Sequence, residues 1–465
     1  MAIISKSNND RPDASAILSK GAYYILDRCT SHDEVYPAVC EAFYQGVAEL
    51  AGEEAAKAVR RDGLAMLHKH FPTEKVLLLE EHVRLALKDT LFYWSYRVGK
   101  EDLGLAHPFY VDHLIVIRIH FPYEVAKNAK KADKPETSRA DLIDHAVSAL
   151  RNPRIIVNQA SRAIRRPRQN STYDPDQFHG ALAKPARSHA AHIDTWYGHS
   201  FDGINLWWSI DGVTVDNTVI LYPDMFARPV HYDEKSMYLA KGQQVSEPHN
   251  VDLKPGQLLL FNPEMLHSTQ VNVSDRTRVA LTTRVNPHAP KFNDEAPFNF
   301  EHWHNSRDLE QRRFKALEVF PAGRCRGAPS YEPRPKLEPH KTTMLKVGHM
   351  LADGPACAVS ELVSGRKVAV DFADAKAILW RESSGEIKAY SRLCPHVGVD
   401  LADGWHDQDT IHCPGHGMRF SWRDGGSNCK SFKLRMFDVE ERDGKVFLRR
   451  SGVREIAEQS CAAEA

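Results

Sequence analysis

Two Cys–His pairs carry the first chemistry in this sequence: Cys394-Pro-His396 and Cys413-Pro-Gly-His416, with residues 397–412 between them. Two thiolates and two imidazoles are the donor set of a two-iron, two-sulfur cluster in which one iron takes both cysteines and the other both histidines. Neutral imidazoles raise the reduction potential above that of an all-thiolate cluster, so the set implies one-electron transfer. Structural zinc also uses Cys and His, but it favours Cys-x₂-Cys or His-x₃-His spacing. A second donor set opens at His192-Ile-Asp194. On an extended chain, residues i and i+2 point to the same side. His267 follows the turn and apolar run Leu253-Lys-Pro-Gly256-Gln-Leu-Leu-Leu-Phe261 and is the candidate third ligand. Two histidines and one carboxylate on one face leave three positions of an iron ion open, which suits Fe(II) and oxygen chemistry.

The residues around the first set carry a resemblance. Cys394-Pro-His396-Val-Gly398, Leu401-Ala-Asp-Gly404 and Cys413-Pro-Gly-His416-Gly417-Met-Arg-Phe420 resemble the Rieske ferredoxin family over residues 343–450. That resemblance implies a 2Fe–2S cluster on Cys394, His396, Cys413 and His416. High-potential members add a disulfide between the two ligand loops and a serine hydroxyl near a bridging sulfur. At the matching positions this chain has Val399, Gly415 and Met418, so the resemblance implies a low-potential cluster of the kind that feeds oxygenases. His412, beside Cys413, falls outside the family's Cys-Pro-x-His-Gly register.

The run His267-Ser-Thr-Gln-Val-Asn272-Val-Ser274-Asp-Arg276-Thr-Arg278 resembles the phytanoyl-CoA dioxygenase family of Fe(II)/2-oxoglutarate oxygenases, loosely over 105–290 and well over 190–285. The resemblance implies Fe(II) held by His192, Asp194 and His267, with 2-oxoglutarate bound through two oxygens and O2 taking the last site. Arg278, eleven residues after His267, would grip the far carboxylate of 2-oxoglutarate. A planar guanidinium fork suits that task. Arg276 is the rival for this role, because it shares strand parity with Arg278. The chain departs from the family's Gly-rich turn at residues 216–223. The implied reaction is hydroxylation or desaturation of a small molecule, coupled to decarboxylation of 2-oxoglutarate to succinate.

The elements that must position these residues follow from composition and periodicity. At 465 residues the chain is long enough for two or three cores. Lys plus Arg and Asp plus Glu are 61 each, so no net field points to nucleic acid or membrane. No apolar run is long enough for a bilayer span, the N-terminus lacks the apolar stretch of a signal, and eight cysteines do not suggest a disulfide framework. A cytoplasmic protein is expected.

Residues 33–100 read as helical, with apolar positions three and four apart as in Val76, Leu79, Val83 and Leu87. Residues 109–122 read as strand, and short strands are expected at 204–210, 217–222, 257–261 and 277–285. These suggest an all-β sandwich or barrel with a helical N-terminal cover. Pro321, Pro329, Pro333, Pro335 and Pro339 favour an extended linker. Beyond it, Ser-Ser-Gly-Glu at 383–386 and Asp443-Gly444 read as hairpin turns of a small β domain.

The expected fold is therefore mainly β: a double-stranded β-helix (jelly roll) oxygenase domain over 1–320, a linker over 321–342, a Rieske domain over 343–450 and a tail over 451–465. The cluster is expected to supply electrons to the iron, fed by an external reductase or ferredoxin; no nucleic-acid or membrane partner is expected, and a homo-oligomer is allowed by analogy. Two rival readings stay open. One is a Rieske-fed, reductase-dependent iron oxygenase that does not use 2-oxoglutarate. The other is an electron carrier or binding protein with an inactive jelly roll.

Weaker signals complete the reading. Trp196, Tyr197, Trp207 and Trp208 are candidates for an aromatic pocket or for core. Arg151, Arg154, Arg162, Arg165, Arg166 and Arg168 read as a solvated helix face, or as a stretch that recognises an anionic substrate or docks a reductase. His189, His199 and His249 read as structural rather than ligating.

Overall fold

The computed structural model describes residues 4–6, 11–127, 188–292 (without 233–237, 241–242 and 244), 302–314, 317–318, 343–345 and 354–450 (without 365–366, 373–374, 383, 397, 407–409 and 416). The basic stretch at 151–168, the proline-rich linker, the tail and His416 lie outside the described residues.

Helices His32–Ala51, Glu53–Asp62 and Val76–Arg97 form where the three- and four-residue apolar spacing occurs. Their buried residues, including Val39, Phe43 and Val47 on the first and Leu79, Val83 and Leu91 on the last, join Leu206, Trp208, Leu260 and Leu281 in one core. The helices therefore cover one face of a large sheet. Its central strands run Leu258–Phe261, Ile204–Ser209, Arg278–Asn286, Tyr110–Asp112, with Val116–His120 also paired to Arg278–Asn286. The 109–122 stretch expected as one strand is two, Tyr110–Asp112 and Val116–His120.

A smaller sheet orders His249–Asn250, Val219–Leu221 and His267–Thr269. Side chains of both sheets line one cavity, as in a sandwich whose inner faces converge on a site.

The C-terminal domain is a seven-stranded antiparallel sheet with one parallel edge pair. Its Ala375–Arg381 and Ile387–Ser391 strands form the first expected hairpin. Met436–Arg442 and Lys445–Arg450 form the second. There Asp443 and Gly444 both have positive φ (51° and 70°), the backbone that a two-residue turn needs to match strand twist. A three-stranded sheet, Trp405–His406, Thr410–His412 and Arg419–Ser421, carries the second Cys–His loop between its last two strands. Among the described residues no disulfide forms and no helix is long and apolar enough to cross a membrane.

Candidate metal centres

His192 and His267 meet as a β-bridge, with mutual backbone hydrogen bonds of 2.9 and 3.0 Å. Asp194 does not continue a regular strand, as the sequence suggested, but opens the short 3₁₀ turn Asp194–Tyr197. Ile193 stays extended (φ −116°, ψ 130°), and that single residue keeps the i and i+2 side chains on one side. The Asp194 Oδ1 atom lies 3.6 Å from Nε2 of His192 and 3.6 Å from Nε2 of His267. One donor atom from each residue falls within a 4.8 Å cluster, and all three residues are buried.

Each imidazole is oriented by its own strand. His192 Nδ1 is 2.7 Å from the Ala190 carbonyl, and His267 Nδ1 is 2.8 Å from the Met265 carbonyl. A proton on Nδ1 leaves the Nε2 lone pair for a metal. Burial, then the neighbouring His192, pushes the His267 pKa down to about 4, so the ligand form is the resting form. Burial alone would raise the Asp194 pKa. Arg284 and the imidazoles outweigh it and hold the carboxyl well below the usual carboxylate range. The other oxygen, Oδ2, accepts from Arg284 Nη2 and Asn205 Nδ2, each at 2.9 Å. The triad is thus an oriented anion and two neutral nitrogens, a set that fits one small divalent cation.

Two further cations line the same cavity. Arg278 donates through Nη1 to the Asn217 carbonyl (3.0 Å) and through Nη2 to His120 Nδ1 (2.8 Å). Burial, then the nearby Arg118, lowers its pKa to about 9. Arg276 lies outside the cavity, with Nη2 at the Asp211 carbonyl. The Asn272-Val-Ser274 turn explains how Arg278 is aimed: Asn272 accepts from the Ser274 backbone and hydroxyl and donates to the carbonyls of His120 and Arg276. Arg118 stands two residues before His120 on the neighbouring strand. Its guanidinium forms no hydrogen bond or ion pair among the described residues, although the Glu80 carboxyl raises its otherwise burial-lowered pKa.

Arg118 and Arg284 were missed by the sequence reading. The signal for Arg284 was present: Arg278, Ala280, Thr282 and Arg284 alternate on one face of one strand.

The aromatic candidates divide. Tyr197 and Trp207 line the cavity. Trp208 stacks on Trp94 (4.8 Å, 17°) in the helical core, and Trp196 stacks on Tyr232. His189 and His199 stand on the cavity wall, whereas His249 pairs with the Tyr23 hydroxyl elsewhere.

In the C-terminal domain, Cys394 and Cys413 are buried at the starts of tight turns. Gly398 donates to the Cys394 carbonyl, and Cys413 donates to Met418, each at 2.8 Å. Burial pushes the His396 pKa down to about 4, leaving a neutral imidazole; with the buried Cys394 and Cys413 thiols it supplies donor types that fit a mixed-ligand cluster. Val399 and Gly415 face each other: a Cβ on Gly415 would lie 2.9 Å from Val399 Cγ2.

Together these describe two candidate centres, a sandwich cavity whose residues fit one metal ion and a small domain whose residues fit an iron–sulfur cluster. Residues 118–280 match the family model of phytanoyl-CoA dioxygenase (PhyH), and residues 353–434 match that of the Rieske [2Fe-2S] domain. The chain thus carries a stretch that matches each family, the PhyH match first and the Rieske match C-terminal to it.

It is 29% identical over 102 residues to the oxygenase component of dicamba O-demethylase from Stenotrophomonas maltophilia, covering 20% of this chain and 29% of that one. It is 30% identical over 94 residues to the ferredoxin component of the alkene monooxygenase system of Xanthobacter autotrophicus, covering 20% of this chain and 76% of that one. Among solved structures it is similar to a Sphingomonas yanoikuyae B1 ferredoxin, at 26% identity, 21% of this chain, 98% of that chain and a TM-score of 0.20. The chain spans less than a third of the length of the demethylase component.

Proposed function

We propose that this protein is an Fe(II)- and 2-oxoglutarate-dependent oxygenase that hydroxylates or desaturates a small molecule, with a fused Rieske cluster supplying electrons to its iron. The carrying observation is that Nε2 of His192, Nε2 of His267 and Oδ1 of Asp194 converge in the cavity that Arg278 also lines. Fe(II) bound there would supply the activation of O2 that couples decarboxylation of 2-oxoglutarate to oxidation of a C–H bond.

The chain's own residues orient and shield. Asp194 contributes the one anionic ligand, kept ionised by Arg284. Arg278 stands ready for the far carboxylate of 2-oxoglutarate. Val116, Trp207 and Phe261 make apolar wall that excludes water. Arg118 adds a cation that favours a substrate with its own anionic group. The relatives named as ferredoxin and oxygenase components of multi-component systems support an external reductase or ferredoxin as electron source.

The test is succinate release by the full chain given Fe(II), 2-oxoglutarate and O2 with no reductase. Release that vanishes in Asp194→Ala supports the reading. A chain that oxidises nothing without a reductase, and ignores 2-oxoglutarate when one is added, refutes it.

A further inference from the structure

The C-terminal domain is seated on the strand that carries His267. Val271, four residues beyond that ligand, is fully buried in a cluster with Cys394, Cys413, Met418 and Phe420. Gly417, beside the second Cys–His loop, has no room for a side chain. A Cβ there would overlap the Gln270 amide and lie 2.6 Å from Ile220 Cδ1. Ile220 pairs with Ser268, and Leu221 pairs with His267 itself.

Tyr222 continues that strand: its backbone N–H donates to the Leu266 carbonyl (3.0 Å), and its buried ring meets Trp405 of the C-terminal domain edge-on at 6.5 Å. The ring of Tyr123 meets His396 edge-on at 5.7 Å, while its backbone N–H donates to Asn272.

Polar contacts rim this contact. Arg419 bonds Asp216 (3.1 Å). Glu124 accepts from the Ser431 backbone (2.9 Å) and hydroxyl (2.7 Å). Lys127 donates to the same hydroxyl (2.6 Å).

We infer that Tyr222 and Gln270 form an intrachain electron route, by which each chain's cluster reduces the iron of the same chain through the Leu266–Gln270 segment. The inference rests on the function proposed above. From Gln270 to His267 is three residues of extended backbone, about 10 Å. Tunnelling rates fall steeply with distance, so a short path through bonded and packed protein is the favourable case. One electron passes per event: the reduced cluster loses it and ferric iron becomes ferrous, with no bond made or broken. A ferredoxin or a flavin reductase supplies the electron to the cluster. Tyr222 and Gln270 are positioning residues: Gln270 packs on Gly417 of the cluster loop, and Tyr222 bonds the chain at Leu266, beside His267. The route serves iron left ferric by uncoupled turnover, which co-substrate alone does not restore.

The experiment uses the full chain with an intact cluster and either Co(II) or diamagnetic Zn(II) at the triad. The readout is the microwave-power saturation of the dithionite-reduced cluster's EPR signal. Docking of the two domains predicts relaxation enhanced several-fold by Co(II), none by Zn(II), and none in His192→Ala. Val271→Asp, and separately Glu124→Ala combined with Arg419→Asp, should reduce the enhancement while the cluster spectrum stays intact. Adding Asp216→Arg to Arg419→Asp should restore it, an outcome that misfolding cannot give.

A protein that holds one Co(II) per chain beside an intact cluster, yet shows no enhancement, overturns the route and leaves the proposed oxygenase standing. A protein that binds no Co(II) overturns the metal centre, and the function with it. Full enhancement in a mixture of cluster-deficient Cys394→Ser chains with His192→Ala chains would overturn the intrachain assignment.

Discussion

Arg284 and Asp194 are 90 residues apart in sequence, and Nη2 of the first lies 2.9 Å from Oδ2 of the second. The pairing leaves Oδ1 of Asp194 facing both imidazoles. Arg284 also reaches Asp112 Oδ2 at 3.6 Å, so one buried guanidinium ties the Asp194 carboxylate to the neighbouring strand. Loss of an outer partner of this kind typically costs 10- to 100-fold in metal affinity. Arg284→Met is expected to weaken Mn(II) or Fe(II) binding by about that factor. Metal titration followed by EPR or calorimetry checks it, with Arg276→Met as the variant expected to match the unaltered chain.

The adjacent tryptophans should behave differently. Trp208 is fully buried, stacks on Trp94 and donates Nε1–H to the Gly256 carbonyl at 2.8 Å. Trp208→Ala should cost about 3–5 kcal/mol. Trp207 stands on the cavity wall, so Trp207→Ala should destabilise less and chiefly change which small molecules bind. Denaturant midpoints for the two variants, with ligand affinities for the second, separate these outcomes.

Glu80 gives a pH dependence with a definite sign. Burial holds its carboxyl up at about 7, while it accepts the Ile119 N–H at 2.7 Å. An unfolded glutamate titrates near 4.3, so between about pH 4.5 and 7 the native state keeps a proton that the unfolded state has lost. Stability therefore falls as pH rises through that window, by at most about 1.4 kcal/mol per unit. Glu80→Gln keeps the accepting oxygen and removes the titration. The variant is expected to flatten the decline and to exceed the parent in stability above about pH 7. Asp112, also raised to about 7, first by burial, keeps part of the slope. Urea midpoints across the window test this.

Iron content separates the open cavity from an inactive one. A Rieske cluster and an occupied triad hold about three irons per chain. His192→Ala should lower that to about two while the cluster spectrum stays unchanged.

Legibility in the sequence followed locality. Cys394, His396, Cys413 and the His192–Asp194 pair stood out as candidates because ligand chemistry fixes such spacing within a few residues, while His416 lies outside the described residues. The long helices were readable from Val76, Leu79, Val83 and Leu87, all buried in the core. Arg284 shares a strand face with Arg278, but its partner Asp194 lies 90 residues away and no local pattern declares it; Arg118 stands on a neighbouring strand with no motif around it. The parity argument left Arg276 beside Arg278, whereas the strand begins at Arg278 and the preceding turn carries Arg276 outward. The contact between the domains joins Val271, Gln270 and Gly417 with the Arg419–Asp216 and Glu124–Ser431 pairs, residues far apart in sequence that no motif links.

The most direct test of the central claim is the visible difference spectrum of the full chain with Fe(II), recorded without oxygen before and after 2-oxoglutarate. The account predicts a weak charge-transfer band that requires 2-oxoglutarate, is absent in Asp194→Ala and persists in Arg276→Ala. In Arg278→Ala it should need about 30- to 100-fold more 2-oxoglutarate, the loss of one charged hydrogen-bonded pair. Iron bound at the triad with no band at any 2-oxoglutarate concentration would contradict the account and leave the cluster as the main source of electrons for oxygen chemistry.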